Sequence, residues 1–167
     1  FLGVNLIFAG GCFFTSSQGS GDDNIEASDF TLDPAKEYKI EFMMWGAKDE
    51  VDNYTALIDK FMDENENVTV SITTQDSTQY MSTLTGRLSG TMPDLFYLPE
   101  YEFRPWVDSG RLLSISNGFT EAEYSSLWST AVDWYSYNRA EKTLGVSEGS
   151  DLYCLPKDIG PWTLMYN

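Results

Sequence analysis

The fold of this chain is decided by residues 38–73, which read YKIEFMMWGAKDEVDNYTALIDKFMDENENVTVSIT. The stretch begins with alternating apolar and polar residues and becomes continuously apolar, as in a strand that enters a core. It ends with the alternating, β-branched run 68–73, which favours a second strand. In between, apolar residues recur at helical spacing, at Tyr54, Leu57, Ile58, Phe61 and Met62. The stretch therefore predicts a strand, an amphipathic helix and a second strand.

A second helix and a third strand are predicted next. Tyr80, Leu84 and Leu88 are spaced by four and mark a helix that ends at Gly90, and the apolar run 94–98 predicts the strand. Strands separated by helices of this length imply right-handed βαβ crossovers. We therefore expect an α/β fold whose mainly parallel sheet is flanked by helices.

The remainder of the chain is predicted as helix followed by extended segments. Gly110 stops a short helix, a long helix runs from Glu121 to about Thr143, and 152–166 is extended. The long helix has an apolar stripe at Tyr124, Leu127, Trp128, Ala131, Val132 and Tyr135. We assign Trp128 and Trp134, with Tyr124, to packing.

Charge and composition exclude several classes of function. The 167 residues include 26 acidic and 10 basic side chains and no histidine, giving a formal charge of −16. Phosphates would repel such a chain, so we expect no nucleic-acid partner. Two distant cysteines without histidine make no zinc site, and no glycine-rich phosphate loop occurs, so we expect neither metal nor cofactor. A hydrophobic fraction of 42% implies a real core.

Cys12 follows an apolar run, 1–8, and the small residues Ala9-Gly10-Gly11. That order is typical of a secretory signal peptide processed at a cysteine. It resembles the lipobox of bacterial lipoproteins, in which the thiol carries diacylglycerol, although alanine stands where that pattern has leucine. The alternative is a buried strand or a short membrane piece over 1–14, but the run is far shorter than the ~20 apolar residues that span a bilayer.

Seven short pieces of the chain, taken in order, carry a family pattern: Met44-Trp45-Gly46, Leu57-Ile58-Asp59-Lys60-Phe61, Val68-Thr69-Val70, Tyr80, 88–96, 108–113, and 153–158 with Leu164-Met165-Tyr166-Asn167. In this order and spacing they resemble the N-terminal lobe of extracellular solute-binding proteins of carbohydrate ABC importers, the maltose-binding-like family 1. The resemblance implies a periplasmic-binding-protein-like fold with two lobes that close on a sugar in the cleft between them.

The resemblance also implies a division of the chain. Residues 1–11 are a signal peptide remnant, 12–36 hold the lipidated cysteine and a flexible acidic tether, and 37–167 form an N-terminal lobe truncated at the hinge. Residues 15–34 are rich in Ser, Gly, Asp and Asn and bury too little apolar surface to fold. With the other cysteine lipidated, Cys154 has no disulfide partner and is expected to be a small buried apolar residue.

The ligand-binding residues follow from sugar chemistry and from the resemblance. Pyranose rings need planar aromatic faces, and hydroxyls need carboxylates or amides. In open parallel sheets these groups lie on loops at the carboxyl ends of strands. The predicted ligand-binding residues are Trp45, Lys48, Asp49, Glu100, Tyr101, Asp158 and Trp162. Pro99, Glu102 and Lys157 belong to the same loops, and Gln75, just past the second strand, is a weaker candidate.

Each prediction has a structural alternative. Tryptophans such as Trp45 and Trp162 also serve as core residues. Lys48 and Asp49 also fit as solvated charges at a helix start, where a carboxylate favours the positive end of the helix. Asp94, after a proline, is expected to pin a turn.

We expect a monomeric binding protein, not an enzyme, lipid-anchored on the extracellular face of the cell membrane, or periplasmic in a cell with an outer membrane. Its expected partners are a sugar or oligosaccharide, the transmembrane permease subunits of an ABC importer, and the membrane through the lipid anchor. The alternatives are a glycoside hydrolase that uses Glu100 and Asp158, a binder of another solute such as a polyamine or iron, and a structural surface lipoprotein.

Overall fold

The computed structural model describes residues 12–13 and 32–157, and only the backbone of Cys12, Phe13 and Glu121. Asp158 and Trp162 lie outside these ranges. The strands are β1 (Cys12–Phe13), β2 (Tyr38–Met44), β3 (Val68–Thr74), β4 (Leu95–Phe96), β5 (Ser136–Asn138), β6 (Thr143–Leu144) and β7 (Asp151–Leu152). The helices are α1 (Lys48–Glu64), α2 (Ser77–Gly86), α3 (Glu100–Asp108), α4 (Glu121–Ser126) and α5 (Ser129–Tyr135), with short 3₁₀ turns at Arg87–Ser89 and Ser116–Gly118.

The main sheet has the strand order β1-β4-β2-β3. Strand β2 lies inside it and pairs in parallel with β3 along its whole length, from Tyr38 opposite Val68 to Met44 opposite Thr74. It also pairs in parallel with β4, whereas β1 is antiparallel to β4. The predicted α/β fold, with a parallel sheet flanked by helices, is confirmed.

Helix α1 joins β2 to β3 and buries one face against the sheet. Ile58 and Phe61 are its buried residues, as the helical spacing predicts, whereas Leu57 is 54% exposed and does not belong to the buried face. Burying a side chain of this size stabilises the fold by roughly 1.5–3 kcal/mol. The helix ends where the asparagines begin, and the side-chain amide of Asn65 donates to the carbonyl of Phe61 at 2.9 Å. The helix therefore ends where the sequence predicts. The Asn65 side chain supplies a hydrogen-bond donor to a carbonyl that the last helical turn leaves without a backbone partner.

Helix α3 ends at the predicted glycine. Gly110 has a φ of +69°, a left-handed conformation that a side chain would disfavour. The N–H of Gly110 donates to the carbonyl of Val107 at 2.9 Å. The N–H of Arg111 donates to the carbonyl of Trp106 at 3.0 Å. This pair of bonds is the Schellman arrangement, which satisfies carbonyls that the helix leaves unpaired.

The prediction of one long helix over 121–143 is wrong. Leu127 is extended, with φ −70° and ψ 149°, so α4 ends before it and α5 starts anew at Ser129. After α5 the chain turns extended and becomes β5, which lies between β6 and β7 in a small antiparallel sheet. The switch places the Tyr137 ring 6.4 Å from that of Phe103, in the core behind α3. Tertiary packing therefore overrides the helical spacing.

The packing role predicted for the aromatic residues here holds only in part. Tyr124 is partly buried against the small core cluster that contains Val132, and its ring lies 6.4 Å from that of Phe119, but Trp128 is 69% exposed and Trp134 is 48% exposed. Because the helix is divided, the apolar stripe is not continuous, and both tryptophans lie on the outside.

A partly buried ion pair fixes the strand β2 to the turn after α2. The Arg87 guanidinium donates to both carboxylate oxygens of Glu41, at 2.8 and 2.6 Å, and the Thr73 hydroxyl adds a third bond at 2.8 Å. The guanidinium holds the pKa of the Glu41 carboxyl below its usual range. The N–H of Glu41 donates to the Asp94 carboxylate at 2.8 Å, so Asp94 links the residue before β4 to strand β2.

The residues just before position 37, where the predicted lobe begins, form hydrogen bonds with the lobe. The Asn67 amide donates to the carbonyl oxygens of Asp33 and Lys36, at 3.1 and 2.7 Å.

Cys154 is 3% exposed, as expected, but it is disulfide-bonded, whereas the sequence prediction left it without a disulfide partner. Within the described ranges, no helix has the length and apolar character needed to cross a membrane.

Candidate functional site

The candidate site lies at the carboxyl ends of the parallel strands. The three helices that follow β2, β3 and β4 start within four residues of those ends, at Lys48, Ser77 and Glu100. The N–H of Gln75 donates to the carbonyl of Met44 at 3.1 Å, so the loops after β2 and β3 are in contact. Loops after different strands thereby converge on one edge, where open α/β sheets bind their ligands.

Three aromatic rings form a cluster at this edge. The ring of Trp45, immediately after β2, lies 4.6 Å from that of Tyr80 and 5.1 Å from that of Tyr97, both edge to face. Tyr80 and Tyr97 are buried, whereas Trp45 keeps part of its surface exposed. The predicted residue Trp45 is therefore packed against the core but only partly buried, so part of its side chain remains accessible to a solute.

The Tyr80 hydroxyl connects two strand ends. It lies 2.9 Å from the carbonyl oxygens of both Met43, in β2, and Tyr97, just after β4. Burial raises the pKa of this phenol, so the group stays protonated and donates at ordinary pH. Helix α2 thus fixes the position of the loop that carries Tyr97.

An ion pair borders the aromatic cluster. The Lys157 ammonium is 2.5 Å from Glu50 Oε1 and lies 4.9 Å from the centroid of the Tyr97 ring. The Tyr97 hydroxyl donates to the same Glu50 oxygen at 3.3 Å. Burial, followed by the neighbouring Tyr54 and Glu50, raises the pKa of Tyr97. The pair joins the N-terminal turn of α1 to the segment that ends the described chain.

Gly46 makes room for this ion pair. A Cβ atom at position 46 would lie 2.8 Å from Glu50 Oε2. The Glu50 carboxylate therefore lies close over the loop between β2 and α1, where a side chain at position 46 would displace its flexible end.

The other predicted residues are exposed at the two helix starts. Lys48 pairs with Asp52 at 2.5 Å, and Asp49 is exposed in the first turn of α1. Glu100 is exposed in the first turn of α3, and Tyr101 is 70% exposed. The topology therefore places these residues at the same edge of the sheet as Trp45, and their role in binding stays a prediction; the positions of Asp158 and Trp162 lie outside the described residues.

Sequence reasoning missed Glu50 and Tyr97. Tyr97 lies within the apolar run 94–98, which reads as a strand interior, and Glu50 reads as a surface charge in the first turn of a helix. No local spacing marked Glu50 for this site, because its ion-pair partner Lys157 lies far away in the sequence. Among the described residues, no group of three or more acidic or cysteine side chains could hold a metal ion.

Solved structures similar to this one share its fold. An ABC substrate-binding protein from Listeria monocytogenes, in complex with cycloalternan, matches 62% of this chain and 27% of its own, at 19% identity and TM-score 0.54. A maltose/maltodextrin-binding domain from Bdellovibrio bacteriovorus, bound to maltotriose, matches 68% of this chain and 27% of its own length, at 17% identity and TM-score 0.52. A family 1 extracellular solute-binding protein from Bifidobacterium longum subsp. infantis matches 71% of this chain and 27% of its own length, at 23% identity and TM-score 0.51.

These likenesses define the class of fold, an α/β lobe of the periplasmic-binding-protein type. The sequence profile of the bacterial extracellular solute-binding proteins matches residues 47–167. The chain therefore belongs to the bacterial extracellular solute-binding protein family. It spans about a quarter of the length of the solved structures that it matches. No curated protein sequence matches it.

Proposed function

We propose that the chain is the N-terminal lobe of a two-lobed protein that binds a sugar or oligosaccharide for an ABC importer. The observation that carries the proposal is the partly exposed Trp45, held edge to face by Tyr80 and Tyr97 at the carboxyl ends of the strands. An aromatic face beside carboxylates is what the apolar side and the hydroxyls of a pyranose require. Two of the similar structures hold oligosaccharides, cycloalternan and maltotriose.

The lengths of the similar structures support the proposed second lobe. The chain covers 27% of each of three solved proteins of this fold, which leaves room for a further lobe in a protein of that length. A solute that contacts both lobes has higher affinity for the closed state and shifts the population towards it. The closed monomer then delivers its cargo to the transmembrane permease subunits.

A binding protein holds its sugar without cleaving it, and this distinguishes the proposal from a glycoside hydrolase. The complete gene product is titrated calorimetrically with maltotriose, cycloalternan and other neutral oligosaccharides, while reducing ends are assayed. We expect saturable binding of at least one sugar and no new reducing ends. Turnover would replace the binder by an enzyme, and the absence of any binding would favour a different solute or a structural role.

We also propose that Cys12 carries a lipid that holds the protein on the outer face of the cell membrane. Its support is the order of apolar run, small residues and cysteine. The chain has only one other cysteine, so a lipid at Cys12 and the disulfide of Cys154 exclude each other in one molecule. We expect the intact mass of the membrane-extracted protein to include a diacylglycerol, and iodoacetamide to label Cys154 after unfolding without reduction. A mass without lipid and no labelling before reduction would show the disulfide instead.

A further inference from the structure

The end of helix α5 and the hairpin beside it carry large apolar side chains that the described part of the chain leaves exposed. Trp134 is 48% exposed, Leu144 is 45% exposed, and Val146, two residues further on, is 60% exposed. The Asp133 carboxylate accepts a hydrogen bond from the N–H of Val146 at 3.0 Å, which fixes the hairpin to the helix. We call the three side chains Trp134, Leu144 and Val146 the Trp134 surface.

The other face of α5 packs against the segment that leads out of this lobe. Val132 is buried in the small core cluster that contains Leu152 and Leu155. At 3.6 residues per turn, a side chain two positions further along the helix lies on nearly the opposite side, and Trp134 is in that position. The carbonyl of Tyr135, the last residue of α5, accepts from the N–H of Tyr153 at 3.1 Å. The end of α5 is therefore joined directly to the outgoing segment.

The position of this segment favours the second lobe as the partner of the Trp134 surface. In the proposed two-lobed protein, the second lobe follows this lobe in sequence, and the chain reaches it through the residues after Leu155. The similar solved proteins are long enough to hold such a lobe, because this chain covers only 27% of each. Apolar surface next to a connection between lobes is typical of the contact between them.

The local charge argues against a membrane surface as the partner. Residues 129–152 contain four carboxylates, Asp133, Glu141, Glu148 and Asp151, and two cations, Arg139 and Lys142. Anionic lipid headgroups attract clusters of lysine and arginine and repel a surface with an excess of carboxylates. A contact made through apolar side chains has no such penalty.

We propose that the Trp134 surface is a contact surface for the second lobe, which covers the indole of Trp134 in the complete protein. The inference rests on the two-lobed architecture of the proposed function. It goes beyond that function by naming a surface outside the candidate sugar site that joins the lobes.

The test compares Trp134 with Trp128 in the complete gene product. Trp128 precedes the same helix, about 9 Å further along its axis. Within this lobe the two indoles differ less than twofold in exposure, at 48% and 69%. Hydroxyl-radical labelling followed by peptide mass spectrometry measures the oxidation of each tryptophan separately. We expect Trp134 to be oxidised at least about tenfold more slowly than Trp128, since a contact between lobes excludes water.

Two conditions distinguish the second lobe from other partners. Labelling at protein concentrations between about 1 and about 50 μM detects contact with a second copy, because association depends on concentration. Labelling with and without phosphatidylglycerol vesicles detects contact with a membrane. We expect the protection of Trp134 to be the same under all of these conditions.

Two variants of the complete gene product test whether the indole holds the contact. Trp134→Glu places a charge in the proposed contact and should increase the labelling of Leu144 and Val146 several-fold. Trp128→Glu is the matched control and should leave that labelling unchanged. Melting curves show whether each variant is folded, and the comparison of the two tryptophans in the wild type needs no variant.

Equal oxidation of Trp134 and Trp128, after allowance for their exposures, would overturn the inference. Protection that disappears on dilution would replace the second lobe by a second copy, and protection that requires vesicles would replace it by a membrane. The sugar titration described above is independent of this labelling. A protein that binds sugar with Trp134 uncovered contradicts this inference alone, whereas a protein with Trp134 covered that binds no sugar contradicts the sugar proposal alone.

Discussion

Replacing Trp45 by alanine is expected to weaken oligosaccharide binding by about 30-fold, equivalent to about 2 kcal/mol. Trp45 offers the exposed aromatic surface of the cluster, and its edge-to-face contacts with Tyr80 and Tyr97 hold the indole in one orientation. Alanine removes the surface on which a pyranose ring would lie. Calorimetric titration of the wild type and the variant with the same sugar measures the loss.

The control for this prediction is another exposed tryptophan. Trp128 is 69% exposed at the start of α5, so Trp128→Ala should leave the affinity unchanged. Trp45→Phe keeps an aromatic face and should recover part of the affinity. If Trp45→Ala bound as well as the wild type while remaining folded, the aromatic cluster would not be the binding surface.

Tyr80→Ala is expected to lower the free energy of unfolding by about 3–5 kcal/mol, and Tyr80→Phe by about 1–2 kcal/mol. The alanine leaves a cavity under Trp45, because the ring is 1% exposed. The phenylalanine removes only the hydroxyl that donates to the carbonyls of Met43 and Tyr97. Urea denaturation followed by circular dichroism measures both losses.

The pH dependence of this stabilisation has a definite sign. Burial raises the pKa of Tyr80 in the folded state, so its contribution is complete below the unfolded value of about 10 and is lost as pH rises above it. The difference between wild type and Tyr80→Phe should therefore shrink in alkaline solution. Tyr101, 70% exposed, is the matched control, and Tyr101→Phe should change stability by less than about 0.5 kcal/mol. Equal effects at both positions would contradict the role of the buried hydroxyl.

The elements around β2 were predictable because their sequence signals are local. The alternation of 38–44 and the helical spacing of Ile58 and Phe61 report the same sheet face that the structure buries. Gly110 was predictable for a similar reason, since only glycine readily adopts the left-handed conformation that ends α3.

The long-range contacts were not predictable from the same signals. Helical spacing over 121–135 gave no sign of the break at Leu127, where the need to bring β5 beside β7 outweighs helix propensity. The ion pair of Glu50 and Lys157 joins residues more than 100 positions apart, and no periodicity links them. The sequence was enough to place the candidate residues on loops at one edge of the sheet. The side chains that they contact at this edge could be identified only from the structure.

The central claim is that the sheet edge around Trp45 binds a neutral sugar for transport. The measurement that tests it most directly is calorimetric titration of the complete gene product with neutral oligosaccharides, with reducing ends counted in the same samples. We expect a dissociation constant in the micromolar range or tighter, equivalent to about −8 kcal/mol or more favourable, and no sugar cleaved. Absence of saturable binding across the oligosaccharides, or release of new reducing ends, would contradict it.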